Sequence, residues 1–276
     1  MLTLNAPAKI NLTLEVLGKR PDGYHDIKSV VQTIALFDTL SIEEAERVTF
    51  ECDLPGWSAE KSVLSKVIDS LGVKKGAKIS LQKRIPMMAG LGGDSSCAAA
   101  LLKGLNVLWK LKLSTKKLRE ITREIGSDIP FFLNGPTALM EGRGEKLTSL
   151  PSLPKVWVVL IMPDVPNASG KTARLYAALK TEHFTDGKIT DKLVSALHKN
   201  SFDESMLFNT FENVAYDEFP GLKKYREDLL KLGAKRVHLA GSGPALYGLF
   251  KEKIAAVDFY QKCIDEDLNS CLAVTL

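Results

Sequence analysis

The sequence predicts an α+β fold in two domains. Segments that alternate apolar and polar residues, as strands do, interleave with segments of helical spacing, and no regular βαβ order connects them. The chain has 276 residues, more than the ~100–200 of one typical domain.

Leu2 to Leu17 alternates through Ile10, Leu12, Leu14 and Val16 and reads as strand rather than as a signal peptide, since Asn5, Lys9, Asn11 and Glu15 interrupt it. Arg20-Pro-Asp-Gly23 is a turn, and Val30 to Leu36 and Leu40 to Ile42 read as two further strands. Ser62 to Leu71 has helical spacing, Ala77 to Lys83 is strand-like, and Ser114 to Ile125 is a helix capped by Ser114 and closed by Gly126. Ala138 to Met140 and Val156 to Met162 are short strands. Pro151 to Pro154 lies between them as the expected joint, dividing the chain into 1–153 and 154–276. Helices are expected at Thr172–Leu179, Lys192–Lys199, Phe208–Phe219 and Lys223–Leu232. Strand Val237–Ala240, turn Gly241–Pro244, strand Ala245–Phe250, helix Ala255–Cys263 and strand Cys271–Leu276 complete the chain.

Hydrophobic residues make up 45%, charged residues 25%, and the net charge is +4. That mild basic excess suits a small anionic substrate and is too diffuse for nucleic acid. Lys74-Lys75 and Lys110, Lys112, Lys116 and Lys117 read as solvated faces. Cys52, Cys97, Cys263 and Cys271 have no metal-ligand spacing and fit reduced thiols of a cytoplasmic protein. The longest apolar run, Val156 to Met162, is too short to span a bilayer.

The most informative stretch is Pro86-Met-Met-Ala-Gly-Leu-Gly-Gly-Asp-Ser-Ser-Cys97, between a strand and a helix. Gly90, Gly92 and Gly93 let the backbone approach a ligand closely, and Ser95 and Ser96 are expected to cap the helix. Free N–H groups and the positive end of the helix dipole make such a start an anion site. A plain tight connection has the same composition. No Lys follows the last Gly, so this is not a Walker loop. A second stretch, Pro163 to Thr172, resembles a P-loop at Gly170-Lys171-Thr172. Val165 stands where a Gly is needed, and Pro163 and Pro166 remove N–H donors, so a strand–loop–helix is the better reading.

Further patches stand beside the glycine loop: Ala8-Lys9-Ile10-Asn11, Asp22-Gly23-Tyr24-His25, Gly126-Ser127-Asp128-Ile129-Pro130 and Gly241-Ser242-Gly243-Pro244. With APAKINLTLEVLGKRPDGYHDI, GSDIPFFLNGPTALMEGRGEKL, LFNTFENVAYDEFP and AGSGPALYGLF, the chain resembles the GHMP small-molecule kinases nearly end to end. RPDGYH with GSDIPFF is most similar to the branch that phosphorylates the 2-hydroxyl of 4-diphosphocytidyl-2-C-methylerythritol in the non-mevalonate isoprenoid pathway. A homoserine or mevalonate type is the alternative.

The resemblance implies an N-terminal domain like ribosomal protein S5 domain 2, a ferredoxin-like C-terminal domain, ATP as donor and Mg²⁺. It implies an ATP site at Pro86, Met87, Met88, Ala89, Gly90, Leu91, Gly92, Gly93, Asp94, Ser95 and Ser96. Asp128 is the expected base and Lys9 the cation beside it and the nucleophile. Taken alone, Asp128 also reads as a helix cap and Lys9 as a solvated strand residue. Asn11, Tyr24 and His25 belong by resemblance to the substrate pocket, Tyr176 to a cytosine stack, and Ser242 and Gly243 to the substrate's diphosphate or the domain interface. Asp94 replaces a Gly of the usual GLGGGSS loop, turning either to solvent or toward the metal, where Ser95 and Ser96 are the other candidate ligands. Cys97 stands where Asp or Asn is common.

Overall fold

The computed structural model describes residues 1–166 and 170–276. Asn167-Ala-Ser169, within the P-loop-like stretch, lie outside the described residues. Eleven strands and eight α-helices occur among those described. They run β1 Leu2–Lys19, β2 His25–Ala45, β3 Val48–Cys52, α1 Val63–Leu71, β4 Gly76–Gln82, α2 Gly93–Leu108, α3 Thr115–Ile125, β5 Thr137–Gly142, β6 Lys146–Ser149 and β7 Trp157–Ile161. The rest are α4 Lys171–Ala178, α5 Lys188–His198, β8 Phe208–Asn209, α6 Glu212–Glu218, α7 Leu222–Lys231, β9 His238–Leu239, β10 Leu246–Phe250, α8 Lys253–Asp265 and β11 Ser270–Val274. No helix among the described residues is long and apolar enough to cross a membrane.

The chain forms two compact units. The first comprises Met1–Ala8, Leu36–Met87 and Gly92–Gly135. In it β4 lies between β3, parallel to it, and the C-terminal half of β2, antiparallel from Thr39↔Gln82 to Ala45↔Gly76. α1 and α3 form where the sequence places them, because Ser62 Oγ accepts from Leu64 N–H and Ser114 Oγ from Lys117 N–H. α2 is buried along Ser96–Leu102, and Gly104 lets it approach the side chains of Leu2, Leu4 and Ile42.

The second unit comprises Lys9–Ala35, Met88–Leu91 and Pro136–Leu276. The N-terminal half of β2 pairs antiparallel with β5 and β5 with β6, while β1 pairs parallel with β8 at Thr13↔Phe208. A separate antiparallel sheet has the order β11-β7-β10-β9, with α8 packed on it.

Three local expectations are corrected. The segments 30–36 and 40–42 belong to one strand, β2. Phe208–Asn209 is strand rather than helix, because its partner is the distant β1, and α6 starts only at Glu212. Ser95 and Ser96 do not cap α2. Gly92 does, in the left-handed region at φ 73° with no side-chain bond, and the two serines lie inside the first turn.

Candidate active site

β1 is buried on both faces from Ala8 to Val16, so its polar side chains must be satisfied internally. Lys9, 7% exposed, donates from Nζ to Asn11 Oδ1 at 2.6 Å. Asn11 Nδ2 donates to Ser29 Oγ at 2.8 Å, and Ser29 Oγ donates to the Thr13 carbonyl at 2.5 Å. Tyr247 Oη donates to the Asn11 carbonyl at 2.7 Å. Lys9 is therefore no solvated strand residue; the chain fixes its direction through the side chains of Asn11, Ser29 and Tyr247.

Two loops close over this lysine. The Met88–Leu91 stretch of the glycine loop is tied to β1 by Lys9 N–H to Leu91 C=O at 2.9 Å. Gly90, at φ 84°, lies so near the Ala240 carbonyl that a Cβ would collide with it. Gly241, at φ 56°, leaves space that a Cβ would fill, 2.8 Å from Lys9 Nζ and 3.2 Å from Asn11 Oδ1. Asn209 Nδ2 holds this turn by donating to the carbonyls of Leu239 at 3.0 Å and Gly241 at 2.8 Å. Lys9, Asn11, the middle of the glycine loop and the Gly241-Ser-Gly243 turn are thus one cluster.

Lys171, rejected above as a Walker lysine, belongs to the same cluster. Its buried Nζ donates to the carbonyls of Met88 and Gly243, and the neighbouring Thr172 Oγ1 lies 2.8 Å from Ser242 Oγ. Burial, with the positive charge of Lys9 adding to it, lowers the Lys171 ammonium to about 8.

α4 carries a second feature one turn on. Tyr176 stacks on the His25 ring with centroids 4.6 Å apart and planes 15° from parallel, and meets Phe211 edge-on at 4.9 Å. Phe184 approaches His25 edge-on at 6.1 Å. Burial, then Lys19, lowers the His25 pKa, so the imidazole is neutral near pH 7. Tyr24 is 56% exposed, with the Arg143 guanidinium 4.7 Å above its ring. Phe211 and Arg143 lie inside the quoted stretches LFNTFENVAYDEFP and GSDIPFFLNGPTALMEGRGEKL but were not singled out, and Phe184 lies in none of them. The sequence beside Tyr24-His25 holds no other aromatic residue that could have pointed to Phe184 or Phe211.

In the first unit, Pro86 and Met87 lead from β4, and α2 starts with no side-chain cap on its first-turn N–H groups. Asp94, in that first turn, keeps its side chain 45% exposed to solvent while meeting a cation of the protein. Its Oδ1 lies 3.2 Å from Lys83 Nζ, a lysine buried against Asp38 Oδ2 at 2.6 Å. Asp38 Oδ1 also accepts from the N–H groups of Arg84 at 2.7 Å and Ile85 at 2.8 Å, and its Oδ2 accepts from Cys97 Sγ at 3.3 Å. Burial pushes the Cys97 thiol far up, so it stays neutral. Ser96 Oγ is buried without a hydrogen-bond partner among the described residues, an orphaned hard donor in the first turn of α2. Among those residues no group of three or more His, Cys, Asp or Glu could hold a metal ion. Asp128 precedes the 3-10 turn Ile129–Leu133, has helical φ and ψ and makes no cap bond, which removes the cap reading.

The GHMP kinases N terminal domain family matches residues 59–136 and the GHMP kinases C terminal family residues 192–267. A 4-diphosphocytidyl-2-C-methyl-D-erythritol kinase of Dehalococcoides mccartyi is 45% identical over 280 residues, covering 100% of this chain and 99% of the relative. The chain belongs to the 4-diphosphocytidyl-2-C-methyl-D-erythritol kinase family of GHMP kinases. A second family member, from Caldicellulosiruptor saccharolyticus, is 39% identical over 93% of this chain and 90% of its own. A crystal structure of a 4-(cytidine 5'-diphospho)-2C-methyl-D-erythritol kinase superposes with a TM-score of 0.83 at 30% identity, covering 99% of both chains. The fold is that of a two-domain GHMP kinase with mixed helices and sheets.

Proposed function

We propose that this kinase transfers the γ-phosphoryl group of ATP to the 2-hydroxyl of 4-diphosphocytidyl-2-C-methyl-D-erythritol, with residues 1–153 and 154–276 as its two domains. The observation that carries the reading is the Lys9–Asn11–Gly241 cluster, a buried, directed cation at the meeting of the glycine loop and the Gly-Ser-Gly turn.

Residues 86–96 cradle the phosphates of ATP through the loop backbone and the uncapped N–H groups at the start of α2. Asp128 accepts the proton of the 2-hydroxyl as its oxygen attacks the γ-phosphorus and the bond to the departing ADP oxygen breaks. Lys9 offsets the negative charge spread over the transferring oxygens. Asn11 holds Lys9 in place, and Ser242 and Gly243 approach the substrate's diphosphate. His25, neutral, presents a ring nitrogen to the cytosine edge, while Tyr24 and Tyr176 supply the aromatic faces for it. Mg²⁺, when bound, neutralises phosphate charge. The orphaned Ser96 Oγ, with Ser95 and Asp94, fits a small contribution from this chain, the remaining ligands coming from nucleotide oxygens and water. The partners on this reading are small molecules, with no nucleic acid or membrane, and the setting is cytoplasmic.

ADP release with ATP, Mg²⁺ and the cytidyl substrate tests the assignment, with mevalonate and homoserine as controls. Turnover on the cytidyl substrate alone is expected; turnover on a control alone moves the chain to a sister kinase. The aromatic stack at His25 favours the cytidyl substrate, because homoserine and mevalonate carry no ring for it to receive.

A further inference from the structure

Lys171 has more charge around it than its partners balance. Its ammonium is buried and donates to two neutral carbonyl groups, and it forms no ion pair with a carboxylate among the described residues. Residues 88–91 and 240–245 carry no ionisable side chain. α6, packed on α4, places no charge that moves Lys171, and on β1 the charge acting on it is that of Lys9. Two buried ammoniums therefore face one short turn, Lys9 at Gly241 and Lys171 at Gly243. Burying a cation without a counter-charge is costly, and like charges raise the cost. A phosphate oxyanion between them would remove both penalties, whereas a neutral ligand would remove neither.

We infer that Lys171 is a phosphate-binding residue, taking an anionic oxygen of a bound nucleotide or substrate phosphate where the Met88–Leu91 loop meets the Gly241-Ser-Gly243 turn. The inference rests on the kinase reading above. It does not revive a P-loop, since Lys171 opens its helix and reaches loops 83 and 72 residues away. The two carbonyl groups pre-position the ammonium, so little side-chain freedom is lost when the anion arrives. The direction of the shift at Lys171 supplies a signature: the free amine is half protonated near pH 8, and an anion restores the proton.

The test is calorimetric titration of CDP and, separately, of ATP with Mg²⁺ into wild type, Lys171→Met and Lys171→Arg between pH 7 and 9.5. For at least one ligand, wild-type affinity should fall with pH above about 8. At pH 7, Lys171→Met should bind that ligand roughly tenfold to a hundredfold more weakly, with no such fall. Lys171→Arg should bind well and lose the pH limb. A loss confined to CDP assigns the substrate's diphosphate; one confined to ATP assigns the nucleotide's phosphates; a loss in both assigns an oxygen shared by the two subsites. Unchanged affinities and pH profiles in Lys171→Met overturn the inference. So does a lowered melting temperature with both ligands weakened equally and no rescue by Arg, which would make Lys171 a clamp between loops and nothing more. Wild type that binds neither ligand overturns the kinase reading itself, and the inference with it.

Discussion

The Asp94 carboxylate turns back onto the buried Lys83 ammonium, with Oδ1 3.2 Å from Nζ. Lys83 is already matched by Asp38 at 2.6 Å, so the three groups together carry one net negative charge at the start of α2. A glycine at position 94 would leave that helix start neutral. Asp94 benefits from the helix dipole but repels incoming phosphates, and with its side chain 45% exposed the repulsion is moderated by water. Asp94→Gly is expected to tighten ATP binding by roughly fivefold, on the order of 1 kcal/mol, with the gain shrinking at high salt. Titration of ATP at two ionic strengths checks it; weaker binding would instead make Asp94 a contributor to the metal–nucleotide complex.

Lys83 and Asp38 belong to stability. Burial pushes the Lys83 ammonium down, and its neighbours Cys97, Asp38 and Asp94 together push it up by more, so its pKa lies above the ordinary value of 10.5. A raised lysine stabilises the fold fully below that ordinary value and loses the contribution as pH rises through the folded one. Lys83→Met leaves the Asp38 charge buried with only two N–H groups and the Cys97 thiol, and should cost about 3–5 kcal/mol. Urea midpoints at pH 7.5 read this loss, and Lys83→Arg should recover part of it.

Elements set by neighbouring residues were legible; those set by distant partners were not. Ser114 announces its helix because a serine cap acts within three residues, and Ser62, read as the first residue of its helix, is the cap of α1. The strand, glycine loop and helix from Gly76 to Leu108 follow from alternation, glycines and alanines. Position 38 was opaque: an aspartate between Phe37 and Thr39 reads as a break in β2, and its burial depends on Lys83, 45 residues away. Phe208–Asn209 carries an apolar pattern that suits helix or strand, and its pairing with β1 decides the matter. Lys171 showed its motif context but not its carbonyl partners, and Gly92 took the cap position from two serines because only glycine reaches φ 73° at low cost.

Tyr176 reports on the base end of the site. Its ring is held between His25 and Phe211, so truncation removes the stack without opening the glycine loop. Tyr176→Ala is expected to raise KM for the cytidyl substrate roughly tenfold, in line with ~0.5–1.5 kcal/mol for a ring pair plus lost area, and to leave KM for ATP unchanged. Tyr176→Phe keeps the stacked ring and should raise the KM for the cytidyl substrate less than Tyr176→Ala. Steady-state kinetics with each substrate varied in turn separates these; an equal rise in both KM values would place Tyr176 in folding rather than in recognition.

Asp128 is the sharpest test of the chemistry. It stands half-buried ahead of a 3-10 turn whose five residues are all buried, and its side chain has no capping duty to lose. Exchange for asparagine keeps size and polarity and removes the ability to accept a proton. Asp128→Asn should therefore melt within about 0.5 kcal/mol of wild type, as a substitution away from any structural bond does. It should bind ATP and the cytidyl substrate normally and lose kcat by roughly a hundredfold to ten-thousandfold. Single-turnover phosphoryl transfer measures that step without product release. A kcat within threefold of wild type would remove Asp128 as the base and leave Lys9, with the positioned phosphates, as the main source of rate.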